Sequence, residues 1–188
     1  MANHTTANHR GRAQTRLDRE AIVAAGLELA ASSGRATVSV RELGARLGAD
    51  PTAIYRHFSS KEEVMRALLD AVIAESVAAV QAEPADWEQR LRELATHTLR
   101  TFIRYPAIGA EATTLTTHGP GELSAIELML DAFTRAGLND QDVVRHYALL
   151  AQHSLSGAAG IARAQAGGRA RHRARERRQS LVRCAASP

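Results

Sequence analysis

The tetrapeptide Gly48-Ala49-Asp50-Pro51 constrains the fold of this chain more than any other feature of its sequence. It separates two short amphipathic segments and forbids one continuous helix across them. A glycine-led turn lets the chain change direction sharply, and proline at the first position of a helix gives up an N–H that would have no partner there. Upstream, Ser39-Val40-Arg41-Glu42 reads as a capping box, in which a hydroxyl and a carboxylate satisfy free backbone donors. Val40, Leu43 and Leu47 then fall on one face of a short helix. Downstream, the pattern predicts a helix from Pro51 to Phe58 with Ile54 and Phe58 turned to a core, leaving Thr52, Ala53, Tyr55, Arg56 and His57 outward. Two helices joined in this way form a helix-turn-helix, whose second member fits the roughly 12 Å wide major groove of DNA.

The flanks complete a small helical domain. Asp18 is placed to cap a helix that carries Ile22, Ala25, Leu29 and Ala30 on one face, with Leu17 stapled to Ile22 and Gly34 as its stop. Ser60-Lys61-Glu62-Glu63 is a second capping box, opening a long helix through Val64, Leu68, Ala71 and Val72 to about Gln81, with Pro84 beyond. Residues 1–16 show no apolar period and read as a solvated arm, or as a basic arm whose Arg10, Arg12 and Arg16 reach a minor groove.

The stretch from Asp18 to Leu69, centred on VRELGARLGADPTAIYRHFSSKEEVMRALL, resembles the N-terminal domain of TetR repressors. Its Ala-Ile-Tyr-Arg-His-Phe-Ser-Ser-Lys-Glu-Glu segment is similar to the most characteristic signature of that family. The resemblance implies a homodimer that places two reading heads on a pseudo-palindromic DNA operator. Carried over position by position, it implies phosphate contacts from Tyr55 and Lys61, base-edge contacts from Arg41, Thr52, Ala53 and Arg56, and either kind from His57.

Beyond Pro84 the pattern stays helical. Trp87, Leu91, Leu94, Thr98, Phe102 and Tyr105 make one stripe that Pro106 ends, and Ala107 to His118 reads as a short helix running into a loop at Gly119-Pro120-Gly121. Leu123, Ile126, Met129, Leu130 and Phe133 define another helix, stopped at Gly137, and Asn139 caps the next. On that last helix Val143, Tyr147, Leu150, Ser154, Ala158 and Ile161 keep a seven-residue rhythm beside small residues, a surface suited to helix-on-helix packing. The order of elements from Trp87 to Gln165 resembles the C-terminal domain of the tetracycline repressors, which implies that this stripe dimerises and that the domain senses a small-molecule effector. His97, Thr114, Thr117 and His118, with Phe102, Met129, Phe133 and Tyr147, either line an apolar cavity with polar anchors or pack as plain core.

Charge is distributed unevenly although the net formal charge is only +4. Residues 1–61 carry nine Lys/Arg against five Asp/Glu, residues 62–162 carry seven against fourteen, and residues 163–188 carry eight against one. Basic ends favour polyanions, and an acidic middle does not. After Gln165 the sequence departs from the family: Gly167-Gly168 predicts a helix break, followed by an arginine-rich tail or a degenerate last helix. The expected organisation is all-α, with an arm at 1–16, a helix-turn-helix domain at 17–62, a ligand-binding and dimerisation domain at 63–166 and the basic segment at 167–188.

Other classes have little in the sequence to support them. There is no nucleophile elbow, glycine-rich phosphate loop, HExxH or paired cysteine, so no enzyme and no cofactor is expected. His146 and His153 stand seven apart, about 10 Å along a helix, too far to share a metal. A single cysteine, Cys184, and the absence of a long apolar run suit a cytoplasmic protein without membrane contact. The competing reading is a ligand-independent, weakly specific DNA binder that uses the arginine-rich tail.

Overall fold

A computed structural model describes residues 17–33 and 38–185, which form eight α-helices and no strands among the described residues. The arm with Arg10, Arg12 and Arg16 lies outside them, as does the expected stop at Gly34.

Helix α1 (Arg19–Ser33) starts where the Asp18 carboxylate accepts the Ala21 N–H at 2.8 Å. In α2 (Val40–Leu47), Ser39 holds the extended cap position but its hydroxyl makes no capping bond, so the predicted box is incomplete there. Gly48 closes α2 at φ +64°, a left-handed conformation that glycine adopts without a Cβ clash. Asp50 caps α3 (Pro51–Ile54), which is shorter than the predicted Pro51 to Phe58. Its continuation tightens into three-residue turns, with the Arg56 and His57 N–H groups bonded to Ala53 and Ile54 carbonyls. Helix α4 (Lys61–Ala78) is capped by the Ser60 hydroxyl, which accepts the Glu63 N–H at 3.1 Å. The Glu63 carboxylate reaches back one residue further than a standard box, to the N–H and hydroxyl of Ser59.

The remaining helices are α5 (Trp87–Arg104), α6 (Pro106–Gly109), α7 (Pro120–Arg135) and α8 (Asp140–Ala185). Helix α6 takes only the first turn of the segment expected to reach His118, and α7 begins at Pro120, earlier than its apolar stripe suggests. Nor does α8 stop at Gly167-Gly168, where a break is predicted. Two helical glycines cost about 2 kcal/mol together, and the alternating alanine and arginine that follow are strong helix formers.

Two apolar cores hold these helices. In the larger, Ile22, Leu43, Ile54, Phe58 and Leu68 join α1 to α4, and Phe102, Ile108 and Ala158 extend it into α5, α6 and α8. Leu94, Ala125, Leu128 and Met129 centre the smaller one, packed against Ile73 of α4 and Leu150 of α8. Each fully buried Leu, Ile or Phe contributes about 1.5–3 kcal/mol. Helices α4, α5 and α8 contribute to both cores, and α4 also packs against α1, which makes it a mechanical link between the two ends of the molecule.

Candidate functional site

The helix-turn-helix presents the face that the sequence predicts. Ile54 and Phe58 are sealed in the core, while Arg41, Thr52, Tyr55, Arg56 and Lys61 are exposed and Ala53 and His57 are half-exposed. Tyr55 keeps 45% of its surface accessible, high for an aromatic residue next to a core. None of Arg41, Arg56 and Lys61 is engaged in an ion pair among the described residues, so their charges face solvent ready for an anion. The Thr52 hydroxyl donates to the Asp50 carboxylate at 2.7 Å, which leaves it an acceptor toward any outside partner. That bond, followed by the Thr52 N–H, holds the Asp50 carboxyl below its ordinary pKa.

Arg19 fixes this face from behind, and the sequence patterns do not single it out. Its guanidinium donates to the His57 carbonyl and, at 2.8 Å, to Glu63 Oε1, and it lies 4.1 Å from the Phe58 ring centre. One side chain from α1 therefore ties the end of the reading segment to the first turn of α4. The Glu63 carboxyl is held at about 2 by the Ser59 N–H, the Ser59 hydroxyl and Arg19, in that order.

A second feature is a cavity of about 80 Å³ that opens between α4, α5, α7 and α8. Ile73, Leu94, Ala125 and Ile126 form its apolar wall, joined by Met129, Leu150, Ala151 and Leu155. Thr98, Glu122, Tyr147 and Ser154 supply its polar groups. Of the expected ligand residues only Met129 and Tyr147 line it. Phe102 is fully buried in the larger core, and Phe133 packs against the smaller one with its ring 5.7 Å from that of His146. Half-buried His97 stands on α5 off the cavity, while Thr114 and His118 are exposed.

The expected dimer stripe also turns inward. Val143 is buried within the chain and Ala158 in its larger core, Tyr147, Leu150 and Ser154 border the cavity, and only Ile161, at 40%, is well exposed. A quarter-turn away, at spacings of three and four, His146, Leu149, His153, Gly157, Gly160 and Ala164 are all exposed. A Cβ added to Gly157 or Gly160 would meet nothing within 4 Å, so no described residue packs on this face there.

Thr117 serves the structure in a way the sequence does not suggest. Its hydroxyl is 2.9 Å from both Asp70 Oδ1 and Glu122 Oε2. Asp70, on α4, also accepts the N–H groups of Gly121 and Glu122, at 3.1 and 2.9 Å. Gly119 is the N-cap of α7 and has no side chain to cap it, so α4 delivers the capping carboxylate from outside. A Cβ on Gly119 would lie 2.3 Å from Asp70 Cγ, and glycine is what admits that carboxylate. Glu122 Oε2 accepts the Thr117 and His118 N–H groups as well, holding His118 at φ +54°, a strained value for a residue other than glycine. These bonds form a clasp between α4 and the start of α7.

No helix among the described residues is long and apolar enough to cross a membrane. Residues 22–68 match the profile of bacterial regulatory proteins of the tetR family, and residues 81–188, more than half of the chain, match the tetracyclin repressor-like C-terminal domain. An HTH-type transcriptional regulator of Saccharopolyspora erythraea is 32% identical over 68% of this chain and 54% of its own length. The class D tetracycline repressor of Escherichia coli is 30% identical over 68% of this chain and 58% of its own. The chain thus spans about half the length of these curated relatives. A candidate transcriptional regulator from Streptomyces coelicolor A3(2), known as a crystal structure, superposes with a TM-score of 0.66 at 32% identity, covering 77% of this chain and 73% of that one.

Proposed function

The chain belongs to the TetR family of bacterial regulatory proteins, and on that premise we propose that it is a ligand-responsive transcriptional repressor acting as a homodimer on a pseudo-palindromic operator. Helix α4 supports this reading most directly. Its first turn holds the reading segment through Glu63, Ser59 and Arg19, and three turns on its Ile73 forms a wall of the cavity. An effector in the cavity that favours a shifted α4 moves the reading heads off register. It acts only through its different affinity for the two positions of that helix. Tyr55 and Lys61 hold phosphates, Arg41, Thr52, Ala53 and Arg56 meet base edges, and His57 does either. The two-fold contact uses the exposed face of α8, where the glycines permit close helix approach and Leu149 supplies apolar area. The protein works in the cytoplasm, where its DNA is.

Selection of bound sequences from a random DNA pool tests the proposal. A two-fold symmetric motif, with half-sites about one helical turn apart, is the expected result. Sequence-blind binding that salt erases would refute it and favour binding through the arginine-rich segment.

A further inference from the structure

Glu122 belongs to the cavity and the clasp at once. It is the single charged side chain among the residues that line the cavity. All three of its accepted bonds, from the Thr117 N–H, the Thr117 hydroxyl and the His118 N–H, fall on Oε2. Oε1 takes part in none of them, although it carries acceptor lone pairs of its own. The cavity lining therefore combines a mostly apolar wall with one carboxylate whose Oε1 makes none of these bonds, and it includes no basic side chain to balance an anion.

Resting on the reading of the cavity as an effector site, we propose that Glu122 selects the effector: a largely apolar molecule with a cationic or hydrogen-bond-donating group that binds Oε1 and thereby loosens the clasp between α7 and α4. Charge decides the class. A cation gains a charge-assisted bond, a neutral donor gains a weaker one, and a carboxylate meets a like charge with no basic residue in the lining. The link to DNA follows from the shared oxygens. A donor that draws the Glu122 carboxylate toward the cavity weakens its bonds to Thr117 and His118, and the strained φ of His118 favours release of the loop. Thr117 and the α7 amides are fastened to Asp70 of α4 by that same loop, so effector binding and α4 position become coupled.

The test uses the full chain and three probes on one skeleton: phenethylamine, 2-phenylethanol and phenylacetate, titrated by calorimetry and ligand-observed NMR. The amine should bind about tenfold more tightly than the alcohol, as a charge-assisted bond does over a neutral one, and the carboxylate should not bind. In Glu122→Gln the preference for the amine should fall to about twofold or less. The wild-type series stands alone should that variant fold poorly. Equal binding of carboxylate and amine, an unchanged amine preference in a folded Glu122→Gln, or no binding of any probe at millimolar concentration overturns the proposal. So does an amine that binds and leaves operator affinity unchanged. Operator affinity without probe is measured in the same preparation: its absence ends the regulator reading, whereas intact operator binding with no charge preference ends only the role of Glu122.

Discussion

Asp70→Ala offers a direct test of the clasp. The substitution leaves the Thr117 hydroxyl its second acceptor, Glu122, but strips the Gly121 and Glu122 amides of their partner at the first turn of α7. Losing an N-cap acceptor costs about 0.5–2 kcal/mol, and losing a negative charge at a helix N-terminus costs about 0.3–1 kcal/mol more. The expected loss is about 1–3 kcal/mol, or a Tm lower by about 3–10 °C in a chain of this size. Urea unfolding followed by circular dichroism, at one fixed protein concentration, should show a lower midpoint with an unchanged slope. A second substitution separates capping from general disruption. Gly119→Ser in the wild type drives a Cβ against Asp70 and destabilises, because the overlap at 2.3 Å cannot be relieved without moving α4 or α7. In the Asp70→Ala background that obstacle is gone and the new hydroxyl can cap α7 from its own N-cap position, so the sign of the effect reverses. An Asp70→Ala loss below about 0.5 kcal/mol, or a Gly119→Ser effect equal in both backgrounds, would refute the capping role assigned to Asp70.

Three further outcomes are expected. In operator-binding titrations, Tyr55→Ala and Lys61→Ala should weaken operator and random DNA alike, whereas Arg41→Ala should also narrow the gap between them by about 1–3 kcal/mol; equal losses on both for Arg41→Ala would remove it from base reading. Because folding lowers the Glu63 carboxyl from its ordinary 4.5 to about 2, its contribution is complete above about 4.5 and is lost as pH falls toward 2. The Tm difference between wild type and Glu63→Gln should therefore shrink across that window, and a difference that persists at pH 2 contradicts the assigned bonds. Gly160→Leu should turn a dimer into a monomer in sedimentation while leaving the chain folded, since its side chain enters open space within the chain and a helical glycine is replaced by a better helix former. A dimer that survives Gly160→Leu places the two-fold contact elsewhere.

The N-terminal third was legible because its determinants are local. Gly48, Asp50 and Pro51 set the turn through their own backbone preferences, and Ile54 and Phe58 are one turn apart, so the outward face follows by subtraction. What escaped was non-local. Arg19 meets His57 and Glu63 across 38 and 44 residues, and nothing in the neighbourhood of an arginine on a helix announces such partners. The same holds for Asp70, which caps a helix that begins 50 residues further on. Its trace in the sequence is indirect: Gly119 at an N-cap position supplies no side-chain acceptor, which leaves the first-turn amides of α7 open to a carboxylate from elsewhere.

On α8 the predicted stripe has its expected spacing and faces the chain's own helices. Val143, Tyr147, Leu150 and Ser154 do share a face, but α5 and α7 cover it, and the buried face then rotates to Ala158, Ala159 and Ala162 where α6 takes over. A step of seven residues falls about 20° short of two full turns of an ideal helix, so a strict heptad stripe cannot track one neighbour along a straight helix. Ile161 continues the rhythm but has lost its cover, which is why it alone of the six is well exposed. The face marked by Gly157 and Gly160 carries too little apolar area to stand out in a periodicity count, yet small residues are what close helix approach needs. Periodicity therefore marks only the apolar stripe, and the packing of α5, α6 and α7 decides which face of α8 stays exposed.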